Sequence, residues 1–167
     1  GNILPPCMLR NSSKRSLIIW HGKCLNQIKI KVMNRRLITD YDLLKLDKIL
    51  VSATPDLLKS NLFKEFAVII LAAQVLPQRS ISGRVITMNS RVRLLELTTN
   101  KEIEVTITYP QEANANERLV SVVSNIGLAL IGRKLGDIVS WPIPKGIGQF
   151  EIVEVTYQPE AVGDYHL

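Results

Sequence analysis

Apolar and polar positions alternate along residues 86–108. Ile86–Leu97 reads ITMNSRVRLLEL, with Val92, Leu94, Leu95 and Leu97 setting the apolar positions. Glu102–Thr108 places Ile103, Val105 and Ile107 on one face and Glu102, Glu104, Thr106 and Thr108 on the other. A period of two with β-branched residues predicts half-buried antiparallel strands. Thr98–Lys101 has the length of a hairpin loop. This ribbon is the surface on which the rest of the chain is expected to pack.

Upstream the period changes. Thr39-Asp40-Tyr41-Asp42 sets a Thr at an N-cap position with an acid three residues later, and predicts a helix start. Leu43, Leu46 and Leu50 follow at i, i+3 and i+7, as far as Ala53. Such a helix, about 14 residues long, spans roughly 21 Å. Thr54-Pro55-Asp56 then restarts a helix, with Pro55 at its first position. Leu58, Leu62, Phe66, Ile69 or Ile70, and Ala73 share its inner face, and Pro77 is expected to stop it. The short link predicts an antiparallel hairpin over residues 33–78. An apolar stripe of this kind usually means core packing.

Downstream, YPQEANANER (residues 109–118) has no apolar period and predicts a loop. Leu119–Val123 reads as a strand. Ser124-Asn125 supplies helix-start chemistry for Ile126–Ile131, with Gly132 just past the end. Ile138–Trp141 predicts another strand, Pro142–Gly148 a hairpin loop, and Gln149–Tyr157 the last strand. The pattern is α+β: a helical hairpin, then a sheet domain over residues 84–167 with one short helix.

Charge divides the chain elsewhere. The formal net charge is +6. Arg10, Lys14, Arg15, Lys23, Lys29 and Lys31 supply all of it, because residues 1–32 contain no Asp or Glu. In residues 33–167 the remaining Lys and Arg equal the 15 Asp and Glu. That neutrality gives no reason to expect a large nucleic-acid footprint there. Cys7 and Cys24 also lie in the first segment. So few cysteines suggest a cytosolic protein and argue against a Cys7–Cys24 disulfide. Three readings of residues 1–32 stand side by side. They are a targeting segment, a flexible basic arm able to touch nucleic acid, or a stretch outside the native fold with Met33 as the natural start. The break at Met33 favours the third. No apolar run approaches the roughly 18 residues of a membrane span.

Catalytic chemistry is hard to assemble. His21 and His166 are the only histidines, and no His or Cys pair has metal-ligand spacing. GxSxG, P-loop and GxGxxG motifs are absent. Gly146-Ile147-Gly148 has no helix after it and reads as a turn. Glu102 and Glu104 alternate on one strand face, but a solvated face explains them better than an acid–base pair. Asp137 follows Gly136 as a turn-former. The residues point to a binding module that is not an enzyme, with no cofactor and no metal. A monomer is expected.

Three stretches carry a resemblance. They are Val85–Val92 (VITMNSRV), Ser121–Asp137 (SVVSNIGLALIGRKLGD) and Glu154–Ala161 (EVTYQPEA), the last closed by Gly163-Asp164-Tyr165. Together they resemble the C-terminal domain of the bacterial Gre transcription factors, on the side of the regulators of nucleoside diphosphate kinase. The likeness is strong over residues 84–167, weaker over 36–77, and absent from 1–32. It implies an N-terminal antiparallel coiled coil followed by an FKBP-like antiparallel sheet wrapped on one short helix. It also implies RNA polymerase as partner, met at the rim of the secondary channel by the FKBP-like domain. In Gre factors two acids at the coiled-coil tip help hold magnesium and provoke cleavage of backtracked RNA.

Two departures shape the expectation. The hairpin is short, and its tip, with Thr54 and Asp56, offers one acid. A hairpin of roughly 21 Å falls short of a buried catalytic centre. Gre factors carry Asp-Ser-Pro before the short helix, in a loop that contacts polymerase; here the positions are Val123, Ser124 and Asn125. Ser124 is first a helix cap. Val123, Ser124, Asn125 and Ile126 are the candidate polymerase-binding residues, with Val123 and Ile126 able to supply the apolar anchor. The resulting expectation is a polymerase-docking regulator without cleavage stimulation. The alternatives are a Gre-like cleavage factor, or an FKBP-like peptidyl-prolyl isomerase or peptide-binding module. For the isomerase, Tyr109, Trp141, Phe150 and Tyr157 would have to line an apolar cleft, and they serve equally well as core.

Overall fold

The structure, a computed structural model, describes residues 36–166. The basic segment 1–32, with both cysteines, His21 and its nucleic-acid reading, lies outside the described residues. β1 (Leu37–Thr39) leads directly into α1 (Asp40–Val51). Thr39 caps that helix as its sequence predicts: extended at ψ 154°, its Oγ1 accepts the Asp42 N–H at 2.9 Å. Thr54 restarts the chain as α2 (Pro55–Lys59), with Pro55 in the first turn.

The unbroken helix expected from Pro55 to Pro77 is interrupted. Ser60 adopts an extended ψ of 132°, and its N–H closes α2 on the Leu57 carbonyl at 3.0 Å. α3 (Asn61–Ala72) follows. No Gly or Pro marks the break, so the apolar period runs through it unaltered. α3 buries Phe63, Phe66 and Ile70, spaced i, i+3, i+7, and leaves Leu62 and Ile69 half-buried. Before Pro77 the chain is strand rather than helix: β2 (Gln74–Leu76) pairs in parallel with β1, Ile38 opposite Val75.

The main sheet has five strands in the order β5-β4-β3-β7-β6. β3 (Arg91–Glu96) and β4 (Glu102–Thr108) form the predicted ribbon, Val92 opposite Val105. The first strand is shorter than its sequence suggests. Residues 85–90 form a buried turn, with Asn89 left-handed at φ 59°. β5 (Leu119–Ser121) joins β4 in parallel, so the sheet is antiparallel at every other pairing. β6 (Ile138–Ile143) and β7 (Gly146–Tyr157) form the last hairpin. Ile147 and Gly148 are strand residues of β7, where a loop was expected, because the turn closes at Pro144–Lys145 with Ile143 opposite Gly146. α4 (Asn125–Leu130) packs against β5, β6 and α3. α5 (Pro159–Val162) is the last element of the described residues.

One apolar core runs through the whole of this. Ile38, Leu46, Phe63, Phe66 and Ile70 from the first part join Ile86, Met88, Val92, Leu94, Ile107, Leu128, Leu130 and Ile152. Each fully buried side chain of this size contributes about 1.5–3 kcal/mol relative to exposure. None of the helices among the described residues is long and apolar enough to cross a membrane.

Candidate functional site

The loop before α4 is built by one serine. Ser124 (ψ 164°) is the N-cap: its Oγ accepts the Gly127 N–H at 3.1 Å and donates to the Ser121 carbonyl at 2.6 Å. Ser121 Oγ accepts the Val123 N–H at 3.2 Å. The loop is therefore held to the end of β5 from both sides. Gly127 makes the tightness feasible. A Cβ there would stand 2.1 Å from the Ser121 carbonyl oxygen and 2.7 Å from the Val122 Cα. Held this way, Asn125 is exposed, while Val123 and Ile126 are half-buried against the core.

The loop is a ridge between two concavities. The first has a volume of about 810 Å³ and lies between the helices and the sheet. Val123 and Tyr109 line it from the sheet side, Lys45, Ile49, Ser52 and Leu57 from the helical side. Ser52 and Leu57, on either side of Thr54 and Asp56 in the chain, line the same hollow as Val123. At that turn Thr54 caps α2 through the Leu57 N–H at 3.4 Å. Asp56 is open to solvent and faces Lys59 at 3.4 Å. The second concavity, about 350 Å³, is lined by Asn125, Arg36, Arg133 and β6.

Sequence reasoning did not find the buried polar seam that joins these parts. Asp42 is 2% exposed, and its Oδ2 accepts the Met88 N–H at 3.2 Å. Glu160, from α5, accepts the Thr87 hydroxyl at 2.7 Å, and Thr87 Oγ1 also meets Ser90 Oγ at 3.0 Å. Burial pushes the Asp42 carboxyl up to about 7, and the charge of Glu160 adds to the rise against the pull of the Met88 and Thr39 hydrogen bonds. The Tyr109 hydroxyl is buried without a protein partner among the described residues, and burial followed by the charge of Asp42 pushes its pKa up. Gln158 ties the same seam down, donating to the carbonyls of Ser82 at 3.0 Å and Val85 at 2.9 Å. Two of the three motif stretches, 85–92 and 154–161, thus meet in space through Thr87–Glu160 and Val85–Gln158. The only sequence signal for the seam was Asp42 itself, read as part of a cap.

The other candidate residues are placed apart. Glu104 stands opposite Arg93 on the β3–β4 ribbon, and Arg93 approaches Glu102 at 3.9 Å and Glu154 of β7 at 3.0 Å. Trp141 and Phe150 stack on each other, centroids 3.8 Å apart. Tyr157 donates its hydroxyl to Asp164 at 2.7 Å, a hydrogen bond that raises its pKa.

Residues 81–157 match the family model of the transcription elongation factor GreA/GreB C-terminal domain. The chain is 36% identical over 96 residues to the regulator of nucleoside diphosphate kinase of Escherichia coli (strain K12), a match covering 57% of this chain and 71% of that protein. It is 37% identical over 94 residues to the transcription elongation factor GreA of Helicobacter hepaticus, covering 56% and 58% respectively. Among solved structures it is similar to the transcription elongation factor GreA/GreB from Nitrosomonas europaea. That match has a TM-score of 0.65 and 28% identity, over 75% of this chain and all of that one.

Proposed function

This chain belongs to the GreA/GreB family, and on that premise we propose that it is a transcription regulator that docks on RNA polymerase in the bacterial cytoplasm. The loop Val123–Ile126 makes the contact. The domain that carries it is the FKBP-like one, and the helices before it are the short counterpart of a Gre coiled coil. The identity to a regulator of nucleoside diphosphate kinase over 71% of that protein's length carries the reading.

The helical part favours regulation without transcript cleavage. α1 has 12 residues, which is about 18 Å at 1.5 Å per residue. The turn beyond it offers one acid, Asp56, already facing Lys59. A metal held between two tip carboxylates has no second ligand there. In this reading the protein is not an enzyme and works by occupying its partner. The stacking of Trp141 on Phe150 supports the same reading against an isomerase, because two of the aromatics such a cleft needs are spent on each other.

The test is binding of the full chain to core RNA polymerase, with cleavage of a stalled transcript measured in parallel. Saturable binding with no added cleavage is expected. Binding with strong cleavage would move the protein to the elongation-factor alternative.

A further inference from the structure

The cleft between α4 and β6 carries more positive charge than the structure uses. Arg36 spends its Nη1 on the last carbonyls of α4, donating to Ala129 at 3.0 Å and Ile131 at 2.7 Å. Arg133 lies on the same wall, and its Nε is buried with no hydrogen-bond partner among the described residues. Burial, and then the charge of Arg133, bring the Arg36 guanidinium down to about 10, so the two cations repel each other. Among the described residues neither has a carboxylate within 4.0 Å. Glu65, the one acid lining the cleft, acts on Arg36 from beyond that distance, as does Asp137. A desolvated pair of guanidiniums with spare donors is a fork for an anion.

The opposite wall says what kind of anion. Among the described residues β6 is the last strand of the sheet, and only β7 pairs with it. Five successive residues, Ile138 to Pro142, line the cleft. A hollow over a sheet face meets alternate residues; one along a strand edge meets all of them. The open edge therefore faces the cleft, and its unpaired backbone groups invite an extended chain. Pro142 brings no N–H, so pairing is confined to the Ile138–Ser140 end. Ile138, 60% exposed, offers an apolar contact there. A nucleic-acid backbone needs a run of cations, and this cleft has two, with Glu65 beside them.

We propose that this cleft binds an extended acidic segment of a partner protein, which adds a strand to β6 and places a carboxylate on Arg36 and Arg133. Binding goes beyond the polymerase reading, because the chemistry is the same whichever protein supplies the segment.

The test uses the isotopically labelled full chain and nuclear magnetic resonance. The probes are a blocked peptide Val-Thr-Glu-Thr-Val, the same peptide with Gln for Glu, and a thymidine oligonucleotide. The Glu peptide is expected to shift the Ile138–Ser140 amides and the Arg133 Nε–H signal saturably. Binding should weaken about tenfold when Gln replaces Glu in the peptide, and about tenfold when the Glu peptide meets the Arg133→Ala chain, the loss of one charge-assisted fork. Arg133→Lys, which keeps the charge and loses the fork, should fall between the native chain and Arg133→Ala. Among the described residues Arg133 makes no side-chain hydrogen bond to be lost, and an unchanged amide spectrum elsewhere checks the fold. Equal shifts with both peptides, no shifts, or tighter binding of the oligonucleotide would each overturn the proposal.

Discussion

Asp42 Oδ2 accepts the Met88 N–H across 46 positions of sequence, at 3.2 Å and away from solvent. The contact replaces half of a capping box. The Thr39 side chain caps the helix, and the acid three residues later holds the turn before β3. α1 is thereby fixed to the sheet by a polar bond as well as by Leu46.

Removing that acceptor should be costly. Asp42→Ala leaves the Met88 amide buried and unpaired, which typically costs about 1–3 kcal/mol. Asp42→Asn keeps an oxygen in place and should cost less. Urea unfolding of the two variants beside the native chain checks the order.

The same carboxyl should make stability depend on pH. Folding raises its pKa from an ordinary 3.8 to about 7. Its contribution is therefore complete at acid pH, below 3.8, and is lost as the pH climbs through about 7. The native chain is expected to need less urea to unfold at pH 8 than at pH 5. Asp42→Asn should flatten that slope, measured as the urea midpoint across the range.

Gly127→Ala tests the close approach of α4 to β5. The clash with the Ser121 carbonyl cannot be relieved by a side-chain rotation, since both partners are backbone. A loss of about 2–3 kcal/mol is expected. The thermal midpoint of the variant gives the answer. A change within experimental scatter would show that the loop can shift.

Ser124→Ala removes the cap and, with it, the hydroxyl's bond to the Ser121 carbonyl. About 1 kcal/mol is the usual cost. Thr54→Ala at the other cap should cost less, because its bond is longer, at 3.4 Å, and exposed. Circular dichroism melts of both single variants compare them directly.

What the sequence revealed followed from local repetition. β4 runs over Glu102–Thr108 as the alternation says, since Ile103, Val105 and Ile107 leave one register for it. Thr39, Thr54 and Ser124 each cap the helix they precede. β1 and β2 were invisible because three residues cannot show a period, and they pair only after α3 brings them together. The turn over residues 85–90 looked like strand because Val85 to Met88 are apolar or β-branched; only Asn89 hinted at a left-handed position. The site divides in the same way. Ser124 and its neighbours were legible through cap chemistry and resemblance. The Asp42–Met88 and Thr87–Glu160 bonds and the Arg36–Arg133 cleft join residues tens of positions apart, and no local pattern announces them.

Binding to core RNA polymerase by the full chain, beside Asn125→Glu and Val123→Glu, tests the central claim most directly. Asn125 is exposed and has no side-chain hydrogen bond among the described residues, so its variant should fold as the native chain does. Native binding weakened about tenfold by Asn125→Glu, and at least as much by Val123→Glu, is the expected result. Native binding that neither variant changes, with both folded, would place the contact elsewhere on the chain and contradict the account.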